Sequence, residues 1–237
     1  MESKCNMKKI NIVAFGASVI EGIIELKNPE EKWTDILKEK LGNAFPDTQF
    51  NVVNSGVGGQ SIMEAISRYD EDVKSHFPDY VILGFGGNNE DPLNEKRRVS
   101  GEEYRNCLDA LKKRLEPCAR IVIMVMPPVI DEQHWACKHP YILEKGGMDK
   151  VLERDRKVSR EFAWENNYSI VDLSLKLREL MKTSPKNYYT LPDGVHLTKE
   201  GYKVLTDMMF DVLYNLIHCS IKLNGDDDSN PSVKCLQ

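Results

Sequence analysis

Residues 10–18 read INIVAFGAS, an almost continuous apolar run that ends in glycine, alanine and serine. Such a run is typical of a strand buried on both faces, as in a parallel sheet. The same pattern, a short apolar run before small or polar residues, predicts further strands at residues 50–53, 80–83, 121–126 and 168–171. The repeated strand pattern therefore decides the fold class.

Helical periodicity separates these strands. Apolar residues three and four positions apart predict helices at residues 33–41, 62–73, 104–115, 151–162 and 199–218. Gly42 is a stop signal for the first of these helices. Strands that alternate with helices form parallel sheets joined by crossover helices. The sequence thus predicts an α/β protein, a three-layer α/β/α sandwich around a five-stranded parallel sheet.

Two segments stand outside this alternation. Residues 129–147 interrupt it after the fourth strand, and we expect them to line or cover the site. Residues 220–237 form a polar tail that we predict to be disordered. The other residues, 1–219, are predicted to form a single domain, a size that suits one large hydrophobic core.

Composition and charge exclude several classes of partner. The 237-residue chain has a formal net charge of -5, so it lacks the basic balance of a nucleic-acid binder. No apolar run is long enough to cross a bilayer, and the first one is too short for a signal peptide. We therefore expect a cytoplasmic protein without a membrane span. The six scattered cysteines form no paired motif and are predicted to be reduced thiols.

The first three predicted strands end in glycine, serine and asparagine. These segments are residues 16–18 (GAS), 54–61 (NSGVGGQS) and 84–89 (GFGGNN). In an open parallel sheet, ligands bind beyond the carboxyl ends of the strands. A fourth segment, residues 193–196 (DGVH), precedes the last helix, which would return it to the same edge. The sequence therefore predicts one site built from four loops.

These loops contain the groups that acyl transfer needs. Ser18 is the candidate nucleophile and His196 its base, since a serine hydroxyl needs a neighbouring base and imidazole titrates near neutral pH. Asp193 would hold the imidazole in one tautomer. The backbone N–H groups of Ser18 and Gly59 and the side-chain amide of Asn88 are the candidate oxyanion hole.

Taken in order, the four loops resemble the four sequence blocks of the SGNH hydrolase superfamily, also called GDSL esterases and lipases. Residues 16–18 resemble its Gly-Asp-Ser block, 54–59 its Asn-x-x-x-x-Gly block, 86–89 its Gly-x-Asn-Asp block and 193–196 its Asp-x-x-His block. The resemblance implies a flavodoxin-like fold, the residue roles given above, and a reaction that needs no metal and no other cofactor.

Two positions depart from this pattern. Ala17 stands where the first block has aspartate, which changes the hydrogen bonding available next to Ser18. Asn89 stands where the third block has a second acid, which changes the support of the loop after the third strand. Neither change removes a predicted catalytic group.

We therefore predict a serine esterase that cleaves small acyl esters through an acyl-enzyme on Ser18. Acetyl is the favoured acyl group, and an acetylated sugar is among the candidate small-molecule substrates. The alternative is a non-catalytic carbohydrate- or anion-binding relative with a vestigial triad, which the changes at Ala17 and Asn89 motivate. The run 56–61 also resembles a dinucleotide loop, but Ser61 occupies a position where that motif has glycine or alanine.

Other motifs have plainer interpretations. His134, Cys137 and His139 do not match a standard zinc spacing, so no metal site is predicted there. Trp135 and Tyr141 either contact substrate or pack their segment against the body. Glu21 and the run at residues 96–98 are interpreted as solvated surface charges, and His76 and His218 as solvated helix ends.

Overall fold

A computed structural model describes residues 7–22 and 32–225, with side chains up to residue 222. Its centre is a sheet of five strands in the order β2-β1-β3-β4-β5, and every neighbouring pair is parallel. The strands are β1 (Lys8–Gly16), β2 (Thr48–Gly56), β3 (Tyr80–Gly84), β4 (Arg120–Val125) and β5 (Ser169–Asp172). The predicted five-stranded parallel sheet is confirmed.

Helices cover both faces of this sheet. They are α1 (Ser18–Glu21), α2 (Trp33–Ala44), α3 (Ile62–Ile66), α4 (Tyr69–Asp72), α5 (Gly101–Leu115), α6 (Pro140–Glu144), α7 (Met148–Glu165), α8 (Leu173–Leu180) and α9 (Lys199–Gly225). Within residues 7–22 and 32–225, none of the helices is both long and apolar enough to cross a bilayer.

Successive residues of each strand enter different cores, because side chains alternate across a sheet. In β1, Ile12 and Ala14 join a core formed with α2, α8 and α9. Val13 and Phe15 join a second core formed with α3, α4, α5 and α7. Both faces of the sheet are therefore buried, as the near-continuous apolar strands predict.

The strand ends meet at one level because of the strand register. Gly16 at the end of β1 pairs with Gly56 of β2 and with Gly84 of β3. A side chain at Gly56 would begin only 2.2 Å from the backbone nitrogen of Glu21. Glycine is required there because α1 packs directly on the end of the sheet. The loops that follow these three strands therefore start side by side.

Three helix predictions differ from the structure. α2 continues past Gly42 to Ala44, because an isolated glycine inside a helical pattern is tolerated. The predicted helix over 62–73 is broken into α3 and α4. α9 continues past the predicted end at His218 to Gly225, so residues 220–225 of the predicted tail are helical. Residues 226–237 lie outside the described residues, and the single domain over 1–219 stays a prediction.

One helix, α8, was not predicted from the sequence, and it follows β5 without a loop. The Asp172 side chain caps this helix by accepting the N–H of Leu175 at 2.9 Å. Leu173 and Leu177, four residues apart, bury its inner face. The helix is short and its apolar stripe has few members, so periodicity gives only a weak signal for it.

Residues 129–147 fold as an ordered layer beyond the end of β4. They contain a 3-10 turn, Asp131–Gln133, and then α6. A small separate core holds the layer together and consists of Val129, Ala136, Ile142, Met148 and Leu152, with Tyr141 and Val195 packed against it. Val195 lies within the predicted DGVH segment, so this layer contacts the predicted site.

Candidate active site

Ser18 is the first residue of α1 and immediately follows the close-packed end of β1. Ser18 is 8% exposed, so access to this residue is restricted but not closed. Ala17 is the N-cap of α1 and supplies no side-chain hydrogen bond to the first turn. The substitution at this position therefore leaves the N–H groups at the start of α1 without the side-chain acceptor that an aspartate could provide.

The loop after β2 brings Gly59 to the same edge. Asn54 orients this loop, because its Nδ2 donates to the Ile20 carbonyl at 2.8 Å and its Oδ1 accepts the Gly56 N–H at 3.0 Å. Gly59 has φ +75, and a side chain added there would meet no described residue within 4 Å. The left-handed backbone is therefore what favours glycine at this position.

The loop after β3 places Asn88 beside the loop after β2. Asn88 Nδ2 donates to the Gln60 carbonyl at 3.2 Å, which links the two predicted oxyanion loops. An amide nitrogen carries two hydrogens, so Asn88 keeps a second N–H to donate. The next residue, Asn89, is fully buried, and its carbonyl accepts the Val99 N–H at 2.8 Å.

Asp193 and His196 form a directly bonded pair. The distance from Asp193 Oδ2 to His196 Nδ1 is 2.7 Å. The other carboxylate oxygen accepts the backbone N–H groups of Val195 at 2.9 Å and His196 at 3.0 Å. Burial alone would raise the pKa of the Asp193 carboxyl, but these hydrogen bonds outweigh burial and lower it. Asp193 is therefore held as a carboxylate against Nδ1, which leaves Nε2 as the ring nitrogen for proton transfer.

The chain that follows His196 shares a core with α1. Leu197 and Tyr202 belong to the same buried cluster as Val19 and Ile20, which follow Ser18 in α1. Burial raises the pKa of the Tyr202 hydroxyl, and the nearby carboxylates of Glu21 and Asp193 raise it further.

The characteristic sequence pattern of the GDSL-like lipase/acylhydrolase family matches residues 14–204. The chain belongs to this family. It is 25% identical over 170 residues to an acetylxylan esterase of Geobacillus stearothermophilus, covering 70% of this chain and 73% of that enzyme. It is 29% identical over 226 residues to the uncharacterized lipoprotein YqeF of Bacillus subtilis, covering 85% and 88%.

Solved structures share the fold. Axe2, an acetylxylan esterase from Geobacillus stearothermophilus, has a TM-score of 0.70 at 21% identity, covering 86% of this chain and 94% of that chain. A lipase/acylhydrolase from Enterococcus faecalis has a TM-score of 0.67 at 20% identity, covering 85% and 94%. The α/β sandwich of this GDSL-like protein is thus an SGNH-type fold.

Sequence reasoning missed Arg68, which fixes the strand ends in this GDSL-like protein. Its Nη2 donates to the Gly16 carbonyl at 2.9 Å and its Nη1 to the Ser55 carbonyl at 2.8 Å. Its Nε donates to the Gln60 side chain at 2.7 Å, and its guanidinium stacks on the Phe15 ring at 4.6 Å. One side chain therefore ties β1, β2 and the Gly59 loop together.

Arg97 also holds the Gly59 loop in place, so the interpretation of this residue as a solvated surface charge is wrong. Its Nη2 donates to the Gly59 carbonyl at 2.7 Å. It also pairs with Asp91 and with Glu64, each at 2.9 Å. The hydrogen bond from Arg97 lowers the pKa of Glu64 to about 2. Glu21 is likewise more than a surface charge, because its carboxylate accepts the Gly58 N–H.

The 129–147 layer holds a buried histidine, His134. Among the described residues no group of three or more metal-ligating side chains comes together, and His134, Cys137 and His139 are all described. His134 is buried, and its Nδ1 accepts the Ala136 N–H at 3.2 Å. Burial lowers its pKa despite the nearby carboxylates of Asp131 and Asp193. His134 is thus a neutral, packed side chain behind the Asp193 loop.

The two aromatic side chains of this layer have different surroundings. The Tyr141 hydroxyl donates to Glu90 at 2.6 Å, and the Arg98 guanidinium lies 3.7 Å from the centre of its ring. Tyr141 therefore packs the layer against the body of the protein. Trp135 is 64% exposed, and its aromatic neighbour among the described residues is the His134 ring, 5.5 Å away. Of the two, Trp135 is the one with a surface open to a ligand.

Proposed function

We propose that this GDSL-like protein is a serine esterase that hydrolyses small acyl esters, with acetyl esters preferred. The proposal rests on the 2.7 Å contact between Asp193 and His196, and on the position of Ser18 at the start of α1, two residues after β1 ends at Gly16. A paired imidazole and a serine at the start of a helix are the parts that acyl transfer requires.

In the proposed reaction, Ser18 Oγ attacks the acyl carbon while His196 Nε2 takes the hydroxyl proton. The negative oxygen of the tetrahedral intermediate would accept the N–H groups of Ser18 and Gly59 and the amide of Asn88. The bond from the acyl carbon to the alcohol oxygen then breaks, and the proton on His196 passes to the alcohol. Water attacks the acyl-enzyme in the same way, which releases the acid and restores Ser18.

The relatives support a carbohydrate ester as the substrate class. The Geobacillus stearothermophilus relative is named an acetylxylan esterase, and its crystal structures include catalytic mutants in which a serine or a histidine is replaced by alanine. We infer by likeness that an acetylated sugar is the substrate here and that Ser18 and His196 have the corresponding roles. The cytoplasmic location stays a prediction.

Hydrolysis of p-nitrophenyl acetate by the wild type and by Ser18→Ala tests this function. We expect Ser18→Ala to lower kcat by about four to six orders of magnitude, as expected when the nucleophile is removed. A fluorophosphonate probe should label the wild type at Ser18 and leave the variant unlabelled. Equal rates for the two proteins, or folded wild type that takes no label, would favour the binding relative instead.

The acyl preference is tested with p-nitrophenyl acetate, butyrate and octanoate in parallel. We expect kcat/KM to fall as the acyl chain grows. Release of acetate from acetylated xylo-oligosaccharides then tests the alcohol side. Faster cleavage of the octanoate ester would contradict the acetyl preference while leaving the serine esterase proposal intact.

A further inference from the structure

A buried acid lies directly behind the loop that carries Asn88. Asp155 on α7 is 1% exposed, and a side chain added at Gly86 would begin 3.2 Å from Asp155 Cβ. The carboxylate is therefore packed against the first residue of the Gly86–Asn89 block. Nothing in the proposed reaction uses this acid, although burying one is costly.

Arg154 makes the buried acid tolerable and anchors it. Its Nε donates to Asp155 Oδ1 at 2.8 Å and its Nη1 to Glu90 Oε1 at 2.7 Å. Its Nη2 donates to the Val99 carbonyl at 2.7 Å. The Asp155 carboxylate is therefore held in place by its first oxygen, Oδ1, which leaves its second oxygen, Oδ2, for another donor.

Asn89 is the complementary group on the loop. Asn89 Oδ1 accepts the Ile62 backbone N–H at 3.5 Å, so Asn89 Nδ2 points away from Ile62. Among the described residues, neither Asn89 Nδ2 nor Asp155 Oδ2 has a partner of standard hydrogen-bond geometry, and both atoms are buried. The two residues meet at one place in the fold, because Arg154 bonds both Asp155 and Glu90, the residue that follows Asn89. Burial raises the pKa of the Asp155 carboxyl, and the Asn89 amide lowers it. One is a donor and the other an acceptor, so each is the available partner of the other.

We propose that Asn89 and Asp155 form a buried amide–carboxylate pair that positions Asn88 for the oxyanion. The inference rests on the proposed function, because it assigns Asn88 an oxyanion role. Asp155 and Asn89 are positioning residues, since they act through Asn88 and touch no substrate. The pair connects α7 to the loop after β3 at the residue next to the predicted donor.

The chemistry of the pair explains why position 89 is an amide here. An aspartate at 89 could still accept the Ile62 N–H, but its other oxygen would face the Asp155 carboxylate. Two buried carboxylates in contact repel each other, and one must bind a proton. An asparagine supplies the acceptor and the donor together, so the loop carries the amide and α7 carries the acid.

Exchanging the two groups tests this pairing. Asn89→Asp and Asp155→Asn each leave two like groups face to face, whereas the double variant Asn89→Asp/Asp155→Asn restores one acid and one amide. We expect each single variant to lower kcat for p-nitrophenyl acetate about tenfold with KM little changed, less than the ~10²–10³ loss for deleting an oxyanion donor. The double variant should recover most of kcat, which would show that the two positions act as a pair.

Hydrogen exchange provides a readout that does not depend on activity. Backbone amides of residues 86–90 should exchange faster in both single variants and return toward the wild-type rate in the double variant. Unchanged exchange in the single variants, or a double variant no better than the worse single variant, overturns the proposal. If the wild type shows no serine-dependent hydrolysis, the esterase proposal is wrong, and so is the oxyanion role of Asn88. The exchange data would still decide whether Asn89 and Asp155 form a pair.

Arg160→Gln is the matched control on the same helix. Arg160 pairs with Glu153 and Asp172, each at 2.6 Å, and does not contact the loop after β3. We expect this variant to lower Tm while kcat and the exchange of residues 86–90 stay at wild-type values. An equal loss of kcat in Arg160→Gln would show that general destabilisation of α7 explains the single variants and would overturn the positioning role.

Discussion

The loop that carries Gly59 and the strand ends beside it are fixed by arginine side chains, whereas the loop that carries Asp193 and His196 is held mainly by backbone hydrogen bonds. Arg68 donates to the Gly16 and Ser55 carbonyls, and Arg97 donates to the Gly59 carbonyl. In the second loop, the Leu191 N–H donates to the His196 carbonyl at 2.8 Å. The Ile130 N–H donates to the Gly194 carbonyl at the same distance.

This difference predicts two kinds of sensitivity. A loop held by guanidinium groups should respond to the loss of a charge or a donor, because each arginine makes several of its contacts. A loop held by backbone hydrogen bonds should tolerate changes in nearby charges. It should respond instead to changes that alter its backbone conformation. The four predictions below test this contrast, beginning with the group that carries out the proposed chemistry.

Asp193→Asn should have the largest effect. An asparagine keeps the size of the side chain but does not stabilise a charged imidazole, and it can select the wrong tautomer of His196. We expect kcat to fall about 10³–10⁴-fold, as in other serine hydrolases with this change. The measurement is p-nitrophenyl acetate kinetics with circular dichroism to establish folding. Glu200→Gln, which removes an exposed carboxylate nearby, is the control and should stay close to wild type.

Gly194→Ala should follow, because it disturbs the backbone of the same loop. Gly194 has φ +72, and a side chain there would begin 2.6 Å from the Ile130 carbonyl oxygen. We expect a destabilisation of about 1–3 kcal/mol and a loss of kcat of about a hundredfold through misplacement of His196.

The matched control for this change is Gly42→Ala. Gly42 lies in α2 with no atom within 4 Å of an added side chain. Alanine there should stabilise the protein by about 0.5–1 kcal/mol and leave kcat unchanged. Urea unfolding and kinetics measure both variants. Wild-type activity in Gly194→Ala would contradict the expected sensitivity of the Asp193–His196 loop to its backbone conformation.

Arg97→Gln should have a smaller effect on the Gly59 loop. The change removes the donor to the Gly59 carbonyl and the ion pairs with Asp91 and Glu64. Arg68 still holds the inner side of the loop, so we expect kcat/KM to fall about tenfold rather than a hundredfold. Lys96→Gln is the control, since Lys96 is an exposed neighbour of the same charge. Equal losses in the two variants would point to general electrostatics instead of the loop contact.

The smallest effect concerns acid stability. Arg97 lowers the pKa of Glu64 from 4.5 to about 2. A depressed folded pKa adds stability above the unfolded value, and this contribution is lost as pH falls through the folded value. The difference in the free energy of unfolding between the wild type and Glu64→Gln should therefore decrease as the pH falls from 4.5 to 2. Urea unfolding at pH 6, 4 and 3 measures it. Glu64 is largely exposed, so this difference in unfolding free energy should be small. A difference that increases as the pH falls would contradict the pairing of Glu64 with Arg97.

The strands and the four site loops could be predicted because each is encoded locally. One short apolar run is enough to indicate that β1 is buried on both faces. The DGVH loop holds Asp193 and His196 within one turn of the chain. The supports could not be predicted, because Arg68 and Arg97 act on residues far away in the sequence. Their role depends on which loops the sheet brings beside them. α8 was missed because it is short and its apolar stripe has few members, and the last turns of α9 were missed because they lead into a polar run.

The bridge made by Arg68 has a consequence for how the chain folds. This side chain joins the end of β1 to the end of β2, and its contact with Gly16 spans 52 residues. Long-range contacts form slowly, because chain closure costs entropy before any contact compensates for it. We expect the oxyanion loops to acquire their final shape only after β1 and β2 have paired. Recovery of catalytic rate during refolding should then lag behind recovery of helical signal.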